Sequence, residues 1–412
     1  MAALLGVGLA APAAGAAVIG QGGVRMGADA MWSRGLLGQG QTVAIVDQGF
    51  DGLDRSIALG ELPPRDQLQI RLFDPGAAEG GVTELGLPTQ HGVRMAELVH
   101  DLAPDAHLVL VGYRTQEQFA QAAAWVAQQG IPVVSHSNSF LTPPFDGTGP
   151  AARAVDAAAD AGVLWVNSAG NYAQRHWRGT AAAGGTVLDI APTPGTPLLM
   201  SLAWASPLAT GTLSVQRADG AGGWGEVAHS APAGPTNATI PVTVADGAAY
   251  RVVVTQTSGP PQTFDLFSET VGFGTAAVPE GSIPTPGDAR GALTVGAVKW
   301  TGTSIEPYSS QGVPGGAKPD VVGPTYVTSN PEWPGTAGTS AATAHVAGAA
   351  VLLRQRRMQL GLPAGPAELR GVLEASALDL GAPGPDPVYG AGMARLDTSA
   401  PRLLVRVGPG PR

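Results

Sequence analysis

The sequence predicts an α/β protein, a doubly wound parallel sheet interrupted by an inserted all-β sandwich, and three observations carry that prediction. Short β-branched runs alternate with helical periodicity from about residue 28 to 171, the same rhythm resumes near residue 288, and residues 172–287 between them read as successive strands without helical periodicity. Strands that alternate with helices call for a parallel sheet covered on both faces, with ligands bound outside the carboxyl ends of the strands.

The elements follow in chain order. TVAIVD (42–47), HLVLVG (107–112), IPVVSH (131–136) and VLWVNS (163–168) are short, rich in Val and Ile, and bounded by turn residues, as buried strands are. Between them, HGVRMAELVHDLAP places Met95, Leu98, Val99 and Leu102 at helical spacing, and residues 116–129 and 151–161 carry Ala-rich helical patterning. After Asn171 come LLMSLAWA, TGTLSVQRA, ATIPVTVA, AYRVVVTQT and TFDLFSE, separated by turn residues, which is the pattern of an antiparallel sandwich. ALTVGAV (292–298) restores the α/β rhythm, followed by an apolar helix from Ser340 to about Arg357 and another near 365–377. The chain therefore divides into an apolar leader or arm (1–27), a first α/β segment (28–171), the inserted sandwich (172–287), a second α/β segment (288–397) and a Pro/Gly-rich tail (398–412).

Composition sets the outer limits. With 44% apolar residues in 412, the chain has ample material for a buried core, and its formal net charge of −9 disfavours binding to nucleic acid or anionic lipid through bulk charge. The absence of Cys excludes disulfides, Cys-ligated zinc and a thiol nucleophile, and leaves the compartment open. Residues 1–20 are uncharged, Ala/Leu/Val/Gly-rich and signal-like, although they lack a basic n-region, so we expect export. The run is too poor in large side chains for a membrane anchor, and no later segment reaches spanning length.

Four polar residues stand where such a sheet places its crevice. Asp47 ends a strand in AIVDQGFDG, His91 opens a helix in TQHGVRMAEL, Asn171 closes NSAGN where a strand leaves the sheet, and Ser340 begins the apolar helix of AGTSAATAHVAGAAVLL. Each alone reads as an ordinary cap or turn residue. Together they describe a nucleophilic hydrolase: a serine needs an adjacent base, the base needs an orienting carboxylate, and the developing oxyanion needs preorganised donors.

On these motifs the sequence resembles the subtilisin-like serine proteases, the subtilase family. The chain order Asp, His, Ser is the one that distinguishes subtilisin among triad enzymes, and WVNSAGN resembles the family's oxyanion box, with supporting matches at ALTVGAV, YSSQG and AKPDVVGP. The resemblance implies Ser340 as nucleophile, His91 as general base and then acid, Asp47 as orienting carboxylate and Asn171 as oxyanion donor, completed by the Ser340 N–H. It further implies Ser139, Phe140, Ala169 and Gly170 as substrate-binding positions, with the strand near 137–141 pairing with an extended polypeptide substrate. No cofactor is required for this chemistry. Structural calcium is suggested by family habit alone, since no loop has calcium-binding spacing. The sandwich resembles the jelly-roll accessory domains of secreted bacterial peptidases, and a monomer is expected.

Departures from the family pattern are specific. Gln48 replaces a small residue, Val93 and Arg94 replace Thr-His, Ala344 replaces a proline, and Leu141 stands where a Gly lets substrate backbone approach. His345 matches a family position and reads as a packed structural histidine. Little chain separates the leader from the catalytic core, where secreted subtilases carry a propeptide. Leu141 and the insertion motivate the expectation of a narrow processing protease, the short amino-terminal segment and the residues beside Asp47 and His91 that of a catalytically inactive scaffold that binds peptides or partners, and fold analogy alone that of a wall or glycan-binding protein led by the sandwich.

Overall fold

The computed structural model describes residues 20–73 and 89–396 apart from positions 183, 196, 235 and 245, so most of the leader, and the tail from 397, lie outside the described residues. The chain begins with α1 (Gln21–Met26) and α2 (Asp29–Trp32) and continues with β1 (Thr42–Asp47), α3 (Leu53–Leu59), β2 (Gln69–Leu72) and α4 (His91–Leu102). It then runs through β3 (His107–Gly112), α5 (Gln116–Gln128), β4 (Val133–His136), α6 (Pro150–Asp160) and β5 (Leu164–Ser168). After a long β region, β15 (Ala292–Lys299), β16 (Val321–Thr325), α7 (Thr339–Gln359) and α8 (Pro366–Ser376) complete the layer.

Seven of these strands form one sheet in the order β16-β15-β5-β4-β1-β3-β2, every pair parallel. Alternation along β1 sorts the layers. Val43 and Ile45 face a core shared with α4 and α7, while Ala44 and Val46 face the core of α5 and α6. The chain moves from β1 toward β2 and β3 on one side and then crosses to β4 on the other, so the switch point, where an open α/β sheet has its crevice, lies between β1 and β4.

Local chemistry explains the helix starts. Thr115 and Gln118 form a reciprocal capping box at α5, and Pro150 and Pro366 open α6 and α8, where a missing N–H costs nothing. The leader as read from sequence extends to residue 27, but Gln21–Met26 form α1 against the core. The glycines make that approach feasible, since a Cβ on Gly22 would lie 2.1 Å from His345 Nε2. His345 is buried, with Nδ1 2.7 Å from the Ala341 carbonyl oxygen, as its packed reading required.

Between β5 and β15 lie nine antiparallel strands in two further sheets, which fits an inserted β domain. The first comprises β7 (Thr186–Ile190), β9 (Thr210–Ala218), β10 (Trp224–His229) and β13 (Tyr250–Ser258), in the order β10-β9-β13-β7. The second comprises β6 (His176–Thr180), β8 (Pro197–Trp204), β11 (Ala231–Gly234), β12 (Asn237–Thr243) and β14 (Thr263–Ser268), in the order β11-β12-β8-β14-β6. Their inner faces share one core, with Leu213, Val215, Val252 and Val254 from one sheet and Met200, Leu202, Ile240 and Phe264 from the other. This region is tied to the parallel layer by the Phe145–Phe267 ring pair, 4.7 Å between centroids, and by the backbone bond from Phe140 N–H to the Thr285 carbonyl.

Candidate active site

Asp47 is the last residue of β1, and the pleat turns its side chain toward α4, where it is only 1% exposed. One carboxylate oxygen accepts the backbone N–H of Gln48 at 2.8 Å, and the other lies 2.7 Å from His91 Nδ1. Because the Gln48 contact is made by the main chain, the departure at position 48 leaves the orientation of Asp47 intact. A carboxylate on Nδ1 selects the tautomer with the proton there and leaves Nε2 as a bare acceptor. Desolvation works against the imidazolium, but the Asp47 charge and hydrogen bond together outweigh it and hold His91 above the ordinary histidine value.

His91 begins α4, whose Val93 and Met95 are buried, so the departure at position 93 supplies core. Arg94 points the other way, its guanidinium 4.3 Å from the centroid of the Trp333 ring. Ser340 lies in the first turn of α7, a helix apolar on nearly all sides that runs through the core, with Ala344 buried in its interior. The Ser340 hydroxyl donates to the Ser137 carbonyl at 3.4 Å, the weak end of hydrogen bonding, and Ser340 and His91 line the same cavity.

Asn171 follows β5 and reaches the same helix start. Its amide oxygen accepts the Thr339 N–H at 2.9 Å and the Thr339 hydroxyl at 3.1 Å, which leaves the amide nitrogen as a donor on a residue that lines the cavity. Gly338 makes the turn into α7 with φ 105° and ψ 163°, a conformation essentially restricted to glycine.

The shared cavity measures about 240 Å³ and is lined by Gln48, His91, Asn171 and Ser340 together with Ser137 to Ser139, Ser168, Gly170, Tyr172, Arg175 and Glu269. Of the substrate-binding positions read from sequence, Ser139 and Gly170 line it and Phe140 and Ala169 do not. Phe140 donates its N–H to Thr285 O at 2.8 Å and packs its ring against Phe119, which narrows the free edge expected at 137–141. Ala169 is buried behind the cavity, its N–H bonded to Val295 O. Sequence reasoning missed Tyr172, Arg175 and Glu269. Tyr172 and Arg175 sit within four residues of Asn171 and could have been found by adjacency, whereas nothing in the sequence points to Glu269, which follows β14. A second cavity of about 490 Å³, lined in part by Phe145, Trp204 and Lys318, shares no residue with the first.

The parallel sheet and the placement of its crevice are those of a subtilase-type α/β fold. The comparisons agree: residues 275–392, which contain Ser340, match the model of the subtilase family. The structure of the Clostridium perfringens CspB protease is similar with a TM-score of 0.68 and 17% identity, covering 93% of this chain and 96% of that one. A lanthipeptide protease aligns with a TM-score of 0.51 and 17% identity over 91% of each chain. MycP1 with its N-terminal propeptide removed aligns at 0.50 and 18% identity, over 93% of this chain and 99% of that one. A search of curated protein sequences finds no match. The resemblance read from the motifs is thus borne out: the chain has a subtilase fold, and its last α/β segment carries the family's sequence signature.

Among the described residues, no group of three or more His, Asp or Glu side chains is placed to hold a metal ion, so the calcium suggested by the resemblance finds no such cluster there. No described helix is long and apolar enough to cross a membrane.

Proposed function

We propose that the protein is a serine endopeptidase that cleaves peptide bonds through Asp47, His91 and Ser340. The observation that carries this reading is the 2.7 Å contact between His91 Nδ1 and Asp47 beside a cavity that Ser340 also lines. In this mechanism Asp47 holds the Nδ1–H, and the His91 Nε2 lone pair removes the Ser340 Oγ proton as that oxygen attacks the substrate carbonyl carbon. The oxyanion is met by the Asn171 amide nitrogen and by the Ser340 N–H, one of the donors a helix start leaves unpaired. Collapse breaks the C–N bond, His91 gives its proton to the departing amine, and an ester remains on Ser340. Water, deprotonated by the same imidazole, then hydrolyses that ester and restores the serine.

The substrate is an extended polypeptide lying past Ser139 and Gly170, with no cofactor in the chemistry and no nucleic-acid partner. We further take residues 172–287 as an accessory domain, the protein as exported, and the working species as a monomer. The test is digestion of an unfolded protein with mapping of the products by mass spectrometry. Cleavage by the wild type that disappears in Ser340→Ala supports the reading, and cleavage that persists in the variant contradicts it. Many cut sites indicate a general endopeptidase, whereas one or two indicate a narrow processing enzyme.

A further inference from the structure

The cavity beside Ser340 has a far wall that no motif announced, built by Tyr172 and Arg175 after β5 and by Glu269 after β14. Arg175 acts as a strut. Its Nε and Nη2 donate to the Asn171 carbonyl at 3.1 and 2.7 Å, its Nη1 donates to the Glu269 carbonyl, and its guanidinium lies 5.1 Å from the centroid of the Tyr172 ring. The arginine is therefore committed to main-chain carbonyls and to a ring face.

Glu269 is not so committed. Its carboxylate accepts one described bond, from the Tyr172 hydroxyl to Oε2 at 3.2 Å, and Oε1 has no partner among the described residues. The lining around it is also undersatisfied: Ser137 Oγ, Asn138 Nδ2 and Ser168 Oγ are buried and make no hydrogen bond among the described residues. Buried polar atoms left in this state carry a free-energy cost that a ligand with matching groups relieves.

We infer that Glu269 selects a basic side chain, Arg or Lys, at the substrate residue on the amino side of the scissile bond. This inference rests on the reading of Ser340 as the nucleophile, because only then does the side chain next to the reacting carbonyl enter this cavity. A guanidinium or ammonium group supplies the donors that the open carboxylate oxygen and the two serine hydroxyls lack. A leucine there leaves all of them unpaired, and a glutamate sets two carboxylates together while the arginine of the wall is already engaged. Burial, opposed by the Tyr172 bond and the Arg175 charge, holds the Glu269 carboxyl above its ordinary range, consistent with a site that waits for a cation. The selecting group thus comes from the β region between β5 and β15 and lies about 180 residues in sequence from His91 (269 − 91 = 178).

The test uses fluorogenic peptides that differ only at that residue, with Arg, Lys, Gln, Glu or Leu. For the wild type, kcat/KM for Arg and Lys should exceed that for Leu and Glu by at least about tenfold. Glu269→Gln keeps an acceptor for the Tyr172 hydroxyl, and in it the Arg-to-Gln ratio of kcat/KM should fall by at least about tenfold. A wild type that prefers Leu or Glu overturns the inference, as does a Glu269→Gln variant with an unchanged ratio. Should that variant fail to fold, the wild-type profile decides alone. Labelling of wild-type Ser340 by a fluorophosphonate separates the two failures. A labelled enzyme without basic preference overturns this inference only, and an unlabelled one overturns the serine-protease reading and this inference with it.

Discussion

The amide oxygen of Asn171 holds the first residue of α7, accepting both the N–H and the hydroxyl of Thr339 at 2.9 and 3.1 Å. One side chain thereby ties the loop after β5 to the helix that carries Ser340, and the same bonds turn its amide nitrogen away from Thr339. Support and donation are separable functions of the one group. Asn171→Asp keeps both acceptor bonds and removes the donor, so kcat should fall by at least about 10²-fold. Thermal denaturation should show a fold close to wild type. A large loss of Tm with an equal loss of binding would mean that Asn171 is only a strut.

The pairing of His91 with Asp47 has a consequence for pH. With His91 raised above the ordinary value of about 6.5, the free base that the mechanism needs accumulates only at higher pH. The acidic limb of kcat/KM should therefore have its midpoint above 6.5, and activity should still be rising at neutral pH. Asp47→Asn removes the charge and disturbs the tautomer. It should shift that limb downward and lower kcat by about 10²- to 10⁴-fold. A limb that does not move in Asp47→Asn would remove His91 from the role of base.

Gly338 is a third point of leverage. Its φ of 105° is strained for any residue with a side chain, and a Cβ there would meet Asn171 Nδ2 at 3.4 Å. Gly338→Ala should cost about 1–3 kcal/mol of stability. Because the turn aims Ser340, covalent labelling of the serine should slow as well. Calorimetry and labelling rate measured together would expose the alternative, a variant that is less stable but labels normally.

The buried acids near the amino end of α1 give a stability prediction of unusual sign. Burial, with Glu61 and Glu97 nearby, pushes Asp101 up to about 9 despite its bond from the Gly20 N–H at 3.0 Å, and Glu97 is pushed up to about 7. A carboxyl whose folded value lies above its unfolded one binds its proton more tightly in the fold. Its contribution to stability is full below pH about 4 and is lost as pH rises toward those values. Asp101→Asn keeps an acceptor for Gly20 and cannot ionise. It should match wild type near pH 4 and be more stable at pH 9, by on the order of 1–2 kcal/mol. A variant less stable at pH 9 would show that the carboxylate is ionised and useful there.

Much of this molecule was legible because its strands are buried on both faces. TVAIVD and HLVLVG coincide with β1 and β3 residue for residue, since a parallel strand covered by helices has to be a short apolar run. β2 escaped notice because QIRL is a half-exposed edge strand that lacks such a run, and β16 escaped because VVGPT contains Gly and Pro. α1 escaped because QGGVRM is a poor helix by propensity, formed by packing under α7. Asp47, His91, Asn171 and Ser340 were readable because each stands in a local motif, and the structure gathers His91, Asn171 and Ser340 about one cavity with Asp47 buried against His91. Phe140 and Ala169 belonged to the same motifs, but their backbones are engaged elsewhere. Glu269 was invisible because its place depends on the pairing of β14 with β6, which brings it beside Tyr172 and Arg175 in the loop after β5 and which no local pattern records.

The central claim is an activated serine at position 340, and reaction of the folded protein with a fluorophosphonate, read by mass spectrometry beside a Ser340→Ala control, tests it most directly. The account predicts a single adduct on Ser340, faster above neutral pH and absent from the control. Well-folded protein that takes up no label, or a label carried on another residue, would contradict it.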